Sequence, residues 1–352
     1  MRESERGLVM KENYSYIQEQ SDIGKHAGSK ARQDIDVILA QMVGDVAFSY
    51  SEHHFASVFD KVYYVLSPHN ICKFIDLFRV NNKKLFIQYP FYSNIILRKL
   101  LLRLLRHNEV YLLIHDVDSL RNFGQDNIQH EIEVFNTCKM LIVHNQRMAD
   151  ALKRMGVHTP MLTLDLFDYL RATTNHPARS YRYEIAFAGN LAKSTFLYHD
   201  LDKLGVNFFV YGINFDRNKI RSKSVTYHGS FTSEEIPARL EGSFGLIWDG
   251  DSIDTCSGAF GEYTRYNNPH KLSLYVSSCL PVIVWSQAAI ADFVKEHDIG
   301  FCVDSLSDIH TILASMTEDD YVRYLRNITA LQEKVTSGYF TKRVIRNAMN
   351  LM

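Results

Sequence analysis

Four short stretches of the 352-residue chain carry residues whose types and spacing could do chemistry. In "YNNPHKLSLYVSSCLPVIVW" (266–285) a single lysine, Lys271, stands between a proline-containing turn and an apolar run. A helix beginning near Asn268 or Pro269 would aim its first N–H groups outward, and Lys271 would add a full charge to the positive end of the dipole. Such a helix start binds an anion, most economically a diphosphate, with Asn268 and His270 beside it. A solvated lysine on an ordinary helix start is the competing reading. In "EIAFAGNLAKSTF" (184–196) a strand ends in Gly189 and Asn190 and a helix start follows. Gly189 would let a ligand approach the backbone and Lys193 could reach a phosphate, although a plain βα turn fits the same residues. "LLIHDVDS" (112–119) places His115 and Asp116 at the carboxyl end of a strand, where a neutral imidazole or a carboxylate can accept a proton. The alternative for Asp116 is a cap on the following turn. Finally, "WDGDSIDTCSGAFGEY" (248–263) is acidic and rich in small residues.

These stretches need a scaffold that ends many strands on one side. Short apolar runs at 14–17, 45–50, 61–66, 85–89, 110–116 and 139–145 alternate with helical patterns such as "SKARQDIDVILAQM" and "NQRMADALKRMG". That βαβ rhythm predicts a parallel sheet with helices on both faces. It restarts at 183–190, 206–212, 224–230, 244–250, 280–285 and 300–304, after a Thr- and Pro-rich stretch. The expectation is an α/β chain of two Rossmann-like doubly wound domains, 1–170 and 171–337, facing each other across a cleft. A helix at about 338–352 is expected to pack back on the first domain. Ligands of such folds bind at the carboxyl ends of the strands.

Composition removes several classes. A net charge of -1 argues against a nucleic-acid partner, since proteins that bind one usually show a strongly basic balance or a concentrated basic face. The five cysteines show no C-x-x-C spacing and read as reduced core residues. The polar amino terminus has no signal-peptide core, and no apolar run reaches the roughly 18 to 20 residues of a membrane span, so a cytoplasmic location is expected. In "IILRKLLLRLLRHNE" (95–109) leucines share one face, with Arg98, Lys99, Arg103 and Arg106 nearby. This reads first as a core-facing helix with a solvated basic face. Its functional alternative is a peripheral contact with an anionic bilayer.

From Phe244 to Phe301 the chain resembles the carboxyl-terminal domain of bacterial β-1,6-galactofuranosyltransferases of O-antigen assembly. "DIGKHAGSKARQD", "LLIHDVDSLR", "LIVHNQRM", "IAFAGNLAKS" and "LFDYL" agree in order, so the resemblance covers most of the chain. It is weakest over the first twenty residues and over 51–84. A more distant likeness is to the bacterial glucosyltransferases that extend N-acetylglucosamine on serine-rich adhesins. Both groups are two-domain GT-B glycosyltransferases. The resemblance therefore implies a uridine-diphosphate sugar, UDP-galactofuranose or another UDP-hexose such as UDP-glucose, held mainly by the second domain. It also implies a saccharide acceptor, lipid-linked in one version, held mainly by the first, and inversion to a β-linked product. No cofactor or metal is expected, and a homo-oligomer is allowed.

Lys271 matches the family's lysine, and Leu272 and Ser273 follow it as expected backbone donors. Lys193 stands where the adhesin enzymes carry an arginine, keeping the charge without the bidentate fork. Tyr211 and Gly212, at a strand end, are candidates for the nucleoside side. Catalysis requires neutralising the leaving diphosphate and removing the acceptor's proton. Asp116 is the favoured base, with His115 orienting or replacing it. The glycine loop offers His26 as a rival base, together with Asp22 and the backbone of Gly28 and Ser29 toward the donor. Asp249 and Asp251 form a D-x-D, which in the other major glycosyltransferase fold holds a divalent metal. Here Lys271 and helix dipoles already supply positive charge, so Asp249, Asp251 and Glu262 are assigned to sugar hydroxyls. Asp168, near the linker, is expected to be structural. A noncatalytic sugar-nucleotide-binding subunit is the reading from another functional class.

Overall fold

The computed structural model describes residues 14–20, 27–51, 67–91, 95–121, 128–172 and 175–351. The expected strand at 61–66, and His26 and Asp22, lie outside the described residues.

In the first half the order is β1 (Tyr14–Gln20), α1 (Ala27–Met42), β2 (Asp45–Ser51), α2 (Pro68–Arg79), β3 (Lys84–Tyr89), α3 (Ile95–His107), β4 (Glu109–Ile114), α4 (Ile128–Thr137), β5 (Met140–Val143), α5 (Gln146–Arg154) and β6 (Met161–Thr163). The second half runs β7 (Glu184–Ala188), β8 (Asn207–Tyr211), β9 (Val225–Gly229), α6 (Ile236–Arg239), β10 (Phe244–Ile247), α7 (Gly258–Tyr263), α8 (His270–Ser277), β11 (Val282–Trp285), α9 (Ile290–His297), β12 (Gly300–Val303) and α10 (Ile309–Ser315). It is followed by α11 (Glu318–Ser337) and α12 (Tyr339–Asn350).

All strand pairings described are parallel. The sheets read β2-β1-β3-β4-β5-β6 and β12-β11-β10-β7-β8-β9. Their strand order reverses beside β1 and beside β7, and such switch points open crevices at the carboxyl ends of the strands. The strands are near-continuous apolar runs because helices cover both faces; β4, for example, is buried from Val110 to Ile114.

Helix spacing explains the layers. Ile35, Ile38 and Leu39 of α1 recur at three- and four-residue intervals and are buried on the first sheet. Asn145 caps α5 by accepting the Met148 N–H at 2.9 Å. One apolar cluster runs from one face of the first sheet through Leu164, Leu166, Phe167 and Tyr169 into the second. The chain returns at Gly338, whose φ of +80° links α11 to α12. A Cβ there would lie 2.8 Å from Ile38 Cδ1. Asp168 is buried and accepts the N–H groups of Phe340 (3.2 Å) and Thr341 (2.7 Å), so it anchors the start of α12 beside β6.

Three cysteines are buried, Cys302 is half-buried, and Cys72 is exposed on α2, which corrects its assignment to the core. In α3, Leu101, Leu104 and Leu105 face inward while Arg98, Lys99 and Arg106 are exposed. No helix among the described residues is long and apolar enough to cross a membrane.

Candidate active site

A cavity of about 640 Å³ lies between the two sheets at the carboxyl ends of their strands. From the first half it takes Glu19 at the end of β1, Ser29 and Arg32 of α1, Asp116 after β4, and Arg121 of the 3-10 turn Asp118–Arg121. From the second half it takes the residues after β7, β8 and β10, and the start of α8; Tyr169 lies where the chain crosses.

The second wall is cationic and closely built. Lys271 Nζ donates to Asp249 Oδ1 at 2.6 Å and to the Trp248 carbonyl at 3.1 Å, and stands 4.9 Å from the Phe187 ring centre. Gly189 is small because Lys271 lies on it: a Cβ would come 3.1 Å from the lysine Cε. Gly212, with φ +139°, has a stricter reason, since a Cβ there would fall 1.8 Å from the Gly189 carbonyl oxygen. Asn190 accepts the Ala192 N–H at 3.2 Å and an N–H of Asn214 at 2.9 Å. Lys193 ends the 3-10 turn Leu191–Lys193, where a longer helix had been expected, and lies 4.5 Å from the Phe260 ring centre. Its pKa is lowered by desolvation and then by the Arg121 charge. His270 stacks on Tyr169 at 5.2 Å, and burial pushes its pKa down to about 4, so it is neutral at pH 7.

The first wall consists of ion pairs. Arg32 donates to Glu19 Oε2 at 2.5 Å and to the Pro90 carbonyl at 2.7 Å. Arg121 donates to Asp116 Oδ1, and its guanidinium lies 4.8 Å from the Tyr263 ring centre. Burial raises the Asp116 pKa, opposed by Arg121, Arg32 and Lys193. A buried carboxyl that keeps basicity while facing a cationic wall is suited to taking a proton from a bound hydroxyl.

The structure thus brings together Asp116, Lys193, Lys271, Gly189, Asn190, Tyr211, Gly212, His270, Asp249 and Ser29 around one cavity. Gly28 lies in the first turn of α1. Six expected site residues lie elsewhere. His115 Nε2 donates to Gln88 Oε1 (2.6 Å), the ring stacks on Phe167, and burial holds its pKa well below the usual imidazole value. Asn268 is buried: its N–H meets His144 Nδ1 at 2.9 Å, and its side-chain amide reaches the carbonyls of His144 and Asp165, each at 2.8 Å. Leu272 donates its N–H to the Pro269 carbonyl at 3.0 Å, inside the helix turn. Ser273 donates to the Phe167 carbonyl at 2.7 Å. Asp251 is exposed and accepts from Ser257 Oγ, while Glu262 is exposed and pairs with Arg265 at 2.7 Å. Asn268, Asp251 and Glu262 fail because a short polar loop does not reveal which way its side chains turn, whereas Leu272 and Ser273 are buried inside α8 and His115 is held by Gln88 and Phe167.

Glu19, Arg32 and Arg121 were missed. They come from separate elements, and the only local signals are an acid at the end of a strand and an arginine five residues after Asp116.

The first half matches the model of the glucosyltransferase 3-like N-terminal domain over residues 14–166, and the second matches that of the C-terminal domain over 185–348. The β-1,6-galactofuranosyltransferase WbbI of Escherichia coli K12 is 36% identical over 245 residues, 68% of this chain and 70% of that protein. Glucosyltransferase 3 of Streptococcus gordonii is 24% identical over 239 residues, 67% of this chain and 69% of the relative. Among solved structures, Anabaena HepE in complex with UDP-glucose superposes with a TM-score of 0.61 at 11% identity, over 96% of this chain and 100% of that one. Sucrose-phosphate synthase from Thermosynechococcus elongatus gives 0.59 at 11%, over 96% and 98%. Matched along both halves, the chain belongs to the glucosyltransferase 3-like family and is a glycosyltransferase.

Proposed function

We propose that this enzyme moves galactofuranose from UDP-galactofuranose to a saccharide acceptor, with inversion, in the assembly of a cell-surface polysaccharide. The observation that carries the reading is one cavity in which Lys271, Lys193 and the Gly189 backbone face Asp116. The 36% identity to a galactofuranosyltransferase supports the choice of sugar. In this reading the nucleoside lies toward Tyr211 and Gly212, the diphosphate against Lys271 and Lys193, and the acceptor enters from the Asp116 side. UDP-glucose is the second donor, favoured by the streptococcal relatives' name. Donor consumption is measured with UDP-galactofuranose, UDP-galactopyranose and UDP-glucose and short saccharide acceptors. Turnover with the first alone is expected; turnover with glucose alone reassigns the donor, and binding without consumption makes the chain a noncatalytic subunit.

Metal independence is part of the proposal. It is supported by the D-x-D geometry, in which Asp249 is bonded to Lys271 and Asp251 to Ser257, so the two carboxylates do not converge. Turnover is expected to survive EDTA. Loss on chelation with rescue by Mn²⁺ or Mg²⁺ would return the metal role to these aspartates.

We further propose a reversible contact with the inner face of an anionic membrane, where a lipid-linked acceptor would lie. It is supported by Ile75 and Phe78 of α2, 45% and 46% exposed, with the Arg103 guanidinium 4.6 Å from the Phe78 ring centre and Arg98, Lys99 and Arg106 exposed nearby in the chain. Basic residues at such a surface contribute about 1 kcal/mol each. Co-sedimentation with phosphatidylglycerol vesicles, absent with phosphatidylcholine alone and weakened by Arg98→Glu with Lys99→Glu, is expected. Equal sedimentation of the variant excludes this face.

A further inference from the structure

Asp116 and Arg121 are joined within one turn, each side chain about four-fifths buried, with exposures of 19% and 18%. The turn is held from the other half of the molecule, because Tyr263 Oη accepts the Val117 N–H at 3.0 Å while its ring carries the Arg121 guanidinium. Arg121 also lines the cavity that Lys193 and Lys271 line from the other half.

This geometry sets a conflict. A carboxylate gripped by a guanidinium is stabilised in its charged form and is a poorer proton acceptor than the same buried carboxylate released from it. A diphosphate brings more negative charge than one carboxylate, and guanidinium geometry matches phosphate oxygens as well as it matches carboxylate oxygens. Both anions would lie within reach of one arginine.

We propose that Arg121 is shared: donor binding draws its guanidinium from Asp116 to the diphosphate, and the freed Asp116 then takes the acceptor's proton. The inference rests on the reading of the cavity as a nucleoside-diphosphate-sugar site with Asp116 as base. In the transfer step the acceptor oxygen forms its bond to the anomeric carbon as the bond from that carbon to the phosphate oxygen breaks. The bonding pair leaves on the diphosphate, where Arg121 meets the added charge, and the hydroxyl proton passes to the Asp116 carboxylate. The base is therefore weaker while the donor is absent than once it is bound, and the enzyme works in a fixed order, donor before acceptor.

The test is a double-mutant cycle on the full chain, read by calorimetric titration with UDP. Arg121→Gln is expected to weaken UDP binding by at least about tenfold, the loss of one charged hydrogen bond. Asp116→Asn is expected to tighten it several-fold, because the Asp116 charge no longer competes for Arg121. In the Arg121→Gln background that tightening should disappear. Equal tightening in both backgrounds would mean that Asp116 merely repels the diphosphate, and unchanged affinity in Arg121→Gln would make the arginine a structural partner only; either overturns the sharing. Wild-type protein that does not bind UDP overturns the donor reading itself, which the additive cycle does not. If Arg121→Gln does not fold, Arg121→Lys replaces it, with partial loss expected. Acid limbs give an independent readout: in wild type the limb of kcat, with donor bound, should lie at higher pH than that of kcat/KM for the donor, and Arg121→Gln should narrow the gap.

Discussion

Lys271→Ala is expected to weaken UDP binding by roughly 10- to 150-fold, corresponding to about 1.5 to 3 kcal/mol for a charged hydrogen bond. The lysine does two things at once. It offers positive charge to the diphosphate, and it neutralises Asp249, to which it is bonded at 2.6 Å. Its removal leaves that carboxylate, 20% exposed in its side chain, unpaired and facing the same anion. Asp249→Asn introduced on top of Lys271→Ala should therefore recover part of the lost affinity. Calorimetric titration that finds unchanged affinity in Lys271→Ala removes the diphosphate from this wall.

The second large effect concerns Asp116. Asp116→Asn keeps the shape and some hydrogen bonding of the side chain but removes its basic lone pair, so turnover should fall by roughly 10² to 10⁴. A single displacement needs a group to take the acceptor proton and no enzyme nucleophile, and the product should carry a β-linkage by NMR. Near-full turnover in Asp116→Asn, with loss in His26→Ala, would move the base to the glycine loop. His115→Ala is expected to act differently, through folding, because His115 fills a place between Gln88 and Phe167 behind the cavity wall. An α-linked product would overturn inversion.

Most of the fold was legible in the sequence because periodicity is a local signal. Strands β7, β8 and β10 to β12 lie within the apolar runs that announce them. The short β6, Met161–Thr163, was not legible: three half-buried residues at a sheet edge carry no alternation to detect. At the site, legibility followed the backbone. Gly189, Gly212, Lys193 and Lys271 were found because strand ends and helix starts bring them to the crevice in almost any packing. Asn268 was misplaced because its direction is set by a partner far away in the chain, His144, whereas Asp251 and Glu262 are exposed and turn to near neighbours, Ser257 and Arg265. The pairing of Glu19 with Arg32, and the part Arg121 takes opposite Lys193, depend on tertiary placement and have no counterpart in residue spacing.

Asn268 also ties the two halves of the molecule together. Its bonds to His144, Asn145 and Asp165 fasten the segment leading into α8 to the first sheet, three positions before Lys271. The halves also meet through Lys30 and Glu234 at 2.8 Å, a bridge whose carboxylate is 64% exposed and so easily exchanged for water. The segment that carries Lys271 into the cavity is therefore clamped to the first half by a run of buried amide hydrogen bonds, so the proposed diphosphate contact sits on the firmest of these ties and the exposed bridge on the weakest.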